Sequence, residues 1–422
     1  MRSNLVLAIV CIYGIAKEFR PATPFLTPFL VSEEKGFTNK EVYKQMYPFW
    51  TYSYLLVLIP VFILTDRLKY KPVVVLEALS LTATWTLLCF GTTIRHMQIM
   101  QIVFGIASAS RIAYFSYIYA VVDKSQFKKV TSYIRSSALV GKFLAYLSAQ
   151  VLILTSLADY LILNFITLGI VSIALVLSLL LPTVQRPKIL NRISAEEEGL
   201  HNVPLTETSE LQDKHSDKSQ RNIVMYIISD STVLIWSIWW ALASCGSFQV
   251  ANYVQSLWEP MQKEGQFVGN GFVECLNTLT STLLTFSLQY IKFDWSKRSE
   301  LVFFSSSLTS SLLLYGMAQT SSIWISYLFY IINSSLYQML MAAATDTIAE
   351  KIESRRYSQI FGFNTFLALL LQSILTFTVN HQLDMEIRSQ FFVYSVYFGA
   401  ICAVFAVYCV ISRCVKWFSK ES

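Results

Sequence analysis

The feature that most restricts this chain is a series of apolar windows, each close to the roughly 20 residues a helix needs to cross a hydrocarbon core. They fall at 5–30, 45–65, 73–91, 98–122, 130–154 and 159–182, and again at 224–257, 267–291, 300–318, 322–348, 358–379 and 391–412. The pattern predicts an all-α membrane protein of twelve transmembrane helices with the lipid bilayer as its solvent. Composition agrees: 54% of the 422 residues are hydrophobic and only 14% charged, too oily for soluble domains of this length. The net charge of +6 forms no dense basic stripe, so no nucleic acid is expected as a partner.

The windows divide six and six around a polar stretch. We read residues 1–182 as an N-terminal six-helix bundle, 183–221 as a cytosolic linker, 222–412 as a C-terminal six-helix bundle and 413–422 as a cytosolic tail. Most Lys and Arg fall at the N-terminus, in every second loop and in the tail, which by the positive-inside rule puts both termini in the cytosol. Two six-helix halves joined by a polar central linker is the layout of the major facilitator fold, whose pseudosymmetric bundles rock about a midplane site. Between the second and third windows, Asp66 and Arg67 lead into Leu68-Lys69-Tyr70-Lys71-Pro72, an acidic-then-basic loop like the one that biases the rocking states of major facilitators. Asp66, Arg67 and the intramembrane Arg135 are the candidates for conformational coupling.

An ionisable group near the bilayer centre costs at least about 2.5–3.5 kcal/mol on insertion scales, so each needs a partner, a wet cavity or a nearby helix end. Glu77, Asp230 and Asp346 lie close enough to predicted boundaries to be explained by helix ends. Arg111 and Glu274 lie deep in their windows. A guanidinium offers a fixed fork for a carboxylate or phosphate, which makes Arg111 the first candidate for a substrate contact. The competing reading pairs Arg111 with Glu274 across the halves as a brace. Pro21, Pro24 and Pro28 break the first helix just after Lys17, Glu18 and Arg20, and unwound helices line transporter sites. Those three charges can also pair with one another.

Other chemistries find little support. Six of the seven Cys sit inside apolar runs, and the four His have no ligand spacing, so no disulfide framework, metal or cofactor site is expected. There is no GxxxxGK[ST] motif for nucleotide hydrolysis, and no nucleophile paired with a base inside the spans. The chain is not expected to be an enzyme.

The residues Arg20-Pro21 with Pro24-Phe25-Leu26, Trp50-Thr51-Tyr52-Ser53-Tyr54-Leu55, Arg111-Ile112-Ala113-Tyr114, Gln249-Val250-Ala251-Asn252-Tyr253-Val254-Gln255, Asn270-Gly271 and Phe361-Gly362-Phe363-Asn364 give a resemblance. The chain resembles the reduced folate carrier and thiamine transporter family (solute carrier family 19) from about residue 5 to 412, apart from the linker. The resemblance implies a secondary carrier that imports a small vitamin across the plasma membrane, with a proton or an organic anion as the coupling species.

It leaves the cargo open. Arg111 stands where folate carriers have Arg and thiamine carriers Glu, and its charge favours an anion. Other basic groups of the folate carriers are replaced by Ser334 and Gln372. The thiamine-like features are Trp50, Gln249, Asn252 and Glu274, but the acidic residues expected for a cation are Thr23 and Gln101, and a tyrosine is Phe104. Gly36 precedes Phe37-Thr38 where some relatives carry a glycosylation sequon. A folate-type ligand, thiamine, and a non-transporting receptor that kept the carrier fold are the readings carried forward.

Overall fold

A computed structural model describes residues 2–67, 70–121, 127–182, 227–262, 268–290, 295, 298–352 and 357–421. The expected linker lies outside the described residues. Among them are twelve helices of 17 residues or more: α1 (Arg2–Glu18), α2 (Tyr47–Arg67), α3 (Lys71–Phe90), α4 (Ile94–Val121), α5 (Phe127–Leu154), α6 (Tyr160–Leu180), α7 (Ser231–Trp258), α8 (Asn270–Ser287), α9 (Ser299–Gln319), α10 (Ile323–Lys351), α11 (Tyr357–Phe377) and α12 (Ile387–Glu421). Each overlaps one apolar window. The last runs on through the residues read as a tail. Seven segments are long and apolar enough to cross a membrane by length and composition. Among the helices that fall short are α4 and α8, which carry Arg111 and Glu274. Apolar side chains such as Leu56, Phe90, Leu180 and Val410 are exposed on the outside of the bundle, as a lipid-facing surface requires.

Helix packing repeats with a shift of six. In the first half α1 packs on α5, α2 on α4, α3 on α4 and α6; in the second, α7 packs on α11, α8 on α10, and α9 on α10 and α12. The two seams between the halves, α5 with α8 and α2 with α11, obey the same shift. This is the pseudosymmetry of a major facilitator. Because the number of helices is even, both termini lie at one end of the bundle, called proximal below; the other end is distal.

The break in the first helix is local chemistry. Pro21, Pro24 and Pro28 lack the N–H an α-helix needs, and the chain continues as a 3₁₀ turn, Thr23–Phe25, and a short helix, Leu26–Val31. The freed backbone groups find partners elsewhere. Ala22 N–H donates to Thr167 Oγ1 at 3.1 Å. From the other half, Gln255 Nε2 donates to the Thr23 carbonyl at 3.0 Å, while its Oε1 accepts from Thr27 N–H at 3.1 Å. One amide therefore satisfies two orphaned groups across the interface.

Further ties close the distal end. Lys44 donates to the side chain and carbonyl of Asp384, Asn39 Nδ2 to the Ser256 carbonyl at 2.9 Å, and Gln150 bridges the Val268 carbonyl and Phe272 N–H at 3.0 Å each. Gly271 permits that last seam, since a Cβ there would stand 3.0 Å from the Tyr146 carbonyl. At the proximal end Arg135 of α5 and Asp346 of α10 are both exposed and within electrostatic reach of each other across the gap. Among the described residues, the hydrogen-bonded ties near the broken helix and the distal loops hold the two halves together at the distal end.

Two expectations about helix-end charges meet different outcomes. Asp230 caps α7, its Oδ1 accepting from Thr232 N–H at 2.8 Å and Val233 N–H at 3.2 Å. Glu77 does not reach a helix end. It is buried, accepting from Lys17 Nζ at 2.7 Å and from the Tyr13 hydroxyl at 3.1 Å.

Candidate functional site

Helix α4 builds the site with one face. Gln101, Phe104, Ser108 and Arg111 follow the 3-4-3 spacing that stacks side chains along a single stripe, about 15 Å from first to last. The distal part of the stripe enters a cavity of ≈ 210 Å³ enclosed by Thr23, Trp50, Trp85, Gln101, Phe104 and Asn252, among others. Trp50 is fixed there by a 3.0 Å hydrogen bond from its Nε1 to Ser108 Oγ, and lies nearly parallel to Phe104. Trp85 meets Phe104 edge-on, the two centroids 6.2 Å apart. Aromatic walls of this kind offer faces and edges to a flat ring. The volume of this slot is below the roughly 300–1,000 Å³ of a whole ligand pocket. Thr23 Oγ1 and Trp85 Nε1 are buried at the slot without protein hydrogen-bond partners, which leaves hydrogen-bonding positions open there.

The proximal part of the stripe ends in charge. Glu18 Oε2 lies 3.1 Å from Arg20 Nη2 and 3.8 Å from Lys142 Nζ, and its Oε1 lies 4.0 Å from Arg111 Nε. With the Lys17–Glu77 pair, the cluster holds four cations against two carboxylates, an excess of two positive charges. Burial is uneven in a useful way: the Glu18 side chain is 5% exposed, those of Arg111 and Lys142 39% and 33%. The carboxylate is hidden, whereas the Arg111 and Lys142 side chains are partly exposed. Arg20 Nε and Nη1 and Arg111 Nε have no hydrogen-bond partner. The Arg20 guanidinium lies 5.6 Å from the Trp85 ring and 5.8 Å from Phe104, joining the cluster to the slot.

Of the residues singled out in the sequence, Thr23, Trp50, Gln101, Phe104 and Asn252 line the slot, and Arg111 belongs to the cluster beside it. Gln249 and Gln372 do not line it. Both are fully buried, Gln249 Nε2 bound to Thr376 Oγ1 at 2.9 Å and Gln372 Nε2 to Thr51 Oγ1 at 3.4 Å across the α2–α11 seam. Arg111 does not pair with Glu274; its carboxylate partner is Glu18 on the broken helix. Glu274 is instead held by neutral donors, the Tyr330 hydroxyl at 2.7 Å and Asn277 Nδ2 at 3.3 Å. The side chains of Asp66 and Arg67 lie outside the described residues. Sequence reading missed Trp85, Gln255 and the place of Lys142; only the aromatic enrichment, and a lysine far from any helix end, signalled them.

Comparison with known proteins adds an independent line. The family described as "Reduced folate carrier" matches residues 2–393. "Folate transporter 1" of Caenorhabditis elegans is 44% identical, covering 98% of this chain and 93% of that protein. Human "Thiamine transporter 1" is 36% identical over 99% of this chain and 92% of its own length. Among solved structures, the POT family transporter PepTSo matches with a TM-score of 0.67 at 14% identity, over 97% of this chain and 98% of that one. The inward open xylose transporter XylE from E. coli gives 0.65 at 11%, over 96% and 95%. At such identities the structures speak for the fold alone, and the fold is that of a major facilitator.

Proposed function

The chain belongs to the reduced folate carrier family, and we propose that it is a secondary carrier for a folate-type vitamin: a flat heterocycle with an anionic tail. The ring lies between Trp50, Trp85 and Phe104, and the tail lies proximally against Arg111. The observation that carries the reading is the excess of two positive charges, with guanidinium N–H groups unmatched, one stripe of α4 away from the aromatic slot. Transport proceeds by alternating access, the distal seam being the extracellular gate, in the plasma membrane with both termini cytosolic. A proton or a counter-moving organic anion supplies the energy.

Thiamine is the second reading, motivated by the aromatic walls and by Glu274. A cation would need a free aromatic face, yet Arg20 already lies over Trp85 and Phe104. Glu274, the carboxylate it would meet in the second half, is engaged by Tyr330 and Asn277. Competition uptake with labelled folate and labelled thiamine, across pH, tests the proposal. Accumulation of folate that excess thiamine does not block is expected. Accumulation of thiamine alone overturns the anion reading, and binding without accumulation of either leaves a receptor.

A further inference from the structure

Beside Arg111, the charge cluster holds a second cation that neither helix ends nor a private counter-ion explain. Lys142 lies 15 residues from the start of α5 and 12 from its end, about 18 Å from the nearer terminus, too far for its ammonium to snorkel out. Its position is built in. Gly141 lets α5 press on α1, since a Cβ there would come within 2.6 Å of the Ile15 carbonyl oxygen. The following residue is thereby carried to Glu18, which it approaches only to 3.8 Å because Arg20 takes the same Oε2 at 3.1 Å. One carboxylate serves three cations, and a third of the Lys142 side chain stays exposed.

Across the seam, Glu274 of α8 is near enough to act on Lys142 electrostatically, but its oxygens are occupied by Tyr330 and Asn277. Lys142 thus has acidic groups in both halves and a close pairing with neither. An anion arriving from the centre meets the Arg111 fork first and then, one helix away, an ammonium already poised to release a weak contact.

We propose that Lys142 is the second cationic anchor of the cargo and makes the site select ligands with two carboxylates over those with one. The inference rests on the folate-type reading and deepens it. Arg111 takes one carboxylate of the tail, Lys142 turns from Glu18 to the other, and Arg20 keeps Glu18 neutralised. A ligand with a single carboxylate uses Arg111 alone and gains nothing from Lys142. This also accounts for a family member in which Ser334 and Gln372 stand where other basic groups are expected: the second charge comes from α5 instead.

The test is competition against labelled folate uptake by two unlabelled probes: folate itself, with two carboxylates, and pteroate, which lacks the glutamate and has one. The full-length protein is compared with Lys142→Gln and Lys142→Arg. Lys142→Gln is expected to weaken inhibition by folate roughly tenfold to a hundredfold, the loss of one charge-assisted contact. The ratio of the two inhibition constants then falls toward one, and Lys142→Arg restores it. Equal weakening of both probes, or no change in the ratio, overturns the proposal while leaving the folate reading intact. If the unaltered protein takes up no folate, and neither probe binds, both fall together.

Discussion

The two halves share a packing scheme and differ in what they bury. Among the described residues, the buried charged residues, Lys17, Glu18, Arg20, Lys44 and Glu77, all belong to the first half. The second half fills equivalent depth with amides and hydroxyls. Asn364 Nδ2 donates to Ser237 Oγ at 3.1 Å, and the Tyr337 hydroxyl to Ser244 Oγ at 2.9 Å. Asn380 accepts from Gln390 Nε2 at 2.6 Å and donates to the Tyr253 hydroxyl at 3.1 Å. Charges are costly in a low dielectric and tolerate little rearrangement, whereas neutral hydrogen bonds can be exchanged for others at small cost. On the proposed function the contrast is a division of labour, in which the first half would set the sign of the cargo and the second would close over it.

The largest effect is expected at Arg111. Arg111→Glu removes one cation and adds one carboxylate, which erases the excess of two positive charges in the cluster. Uptake of labelled folate should fall by more than about a hundredfold, the scale for breaking a desolvated charge pair, while uptake of thiamine is kept or improved. Unchanged uptake of both would make Arg111 a structural brace and remove the basis of the comparison.

Next comes a paired test of the two carboxylates. Glu18→Gln leaves Arg20, Arg111 and Lys142 without their shared counter-charge, a change that costs about 3–5 kcal/mol. It should cut the abundance of folded protein in membranes and lower the thermal midpoint in detergent. Glu274→Gln keeps an acceptor for Tyr330 and Asn277 and should cost under about 1 kcal/mol. Equal losses from the two variants would break the contrast between the halves.

A smaller effect is expected at the clasp. Gln255→Ala removes the bonds to Thr23 and Thr27 that hold the broken helix to α7. Two hydrogen bonds of about 0.5–1.5 kcal/mol each bias the closed distal state by about tenfold. The readout is labelling of Thr84→Cys, in the slot, by a membrane-impermeant thiol reagent added outside. Faster labelling is expected, and an unchanged rate would mean that Gln255 only fills space.

These tests also mark how far the sequence could be read. All twelve windows became helices because bilayer thickness sets their length and lipid their composition, and both are local properties. Asp230 was legible as a helix-end residue for the same reason: a cap needs only its own next three residues. Glu77 was not. Its distance along α3 from the boundary suggested escape to water, but which way it points depends on Lys17 and Tyr13 of another helix. The slot residues Thr23, Trp50, Gln101, Phe104 and Asn252 were found through resemblance. The partner of Arg111 was missed, because Glu18 and Glu274 are equally plausible by charge and only the close approach of α1, α4 and α5 decides between them. Gln249 and Gln372 were also singled out through resemblance, as a thiamine-like residue and as the replacement of a basic group, whereas here each finds a partner inside the helix seams.

The smallest effect concerns Lys44 with Asp384 at the distal rim, an ion pair that joins the halves. Lys44 is buried and Asp384 exposed, so water and salt screen the attraction. The Lys44 ammonium, donating to Asp384, holds that carboxyl below the usual carboxylate range. A depressed value means that the tie is complete above the ordinary carboxylate pKa and is lost only as pH falls through the lowered one. Between about pH 5.5 and 8 it therefore contributes no pH dependence. Asp384→Asn suits the test, because the residue has a positive φ of 44°, where Asn is well tolerated, and because Lys44 keeps the Asp384 backbone carbonyl at 2.8 Å. Uptake should change by less than about twofold, with a pH profile that superimposes on that of the unaltered protein. A profile that shifts would place proton coupling at the rim instead of the charged centre of the first half.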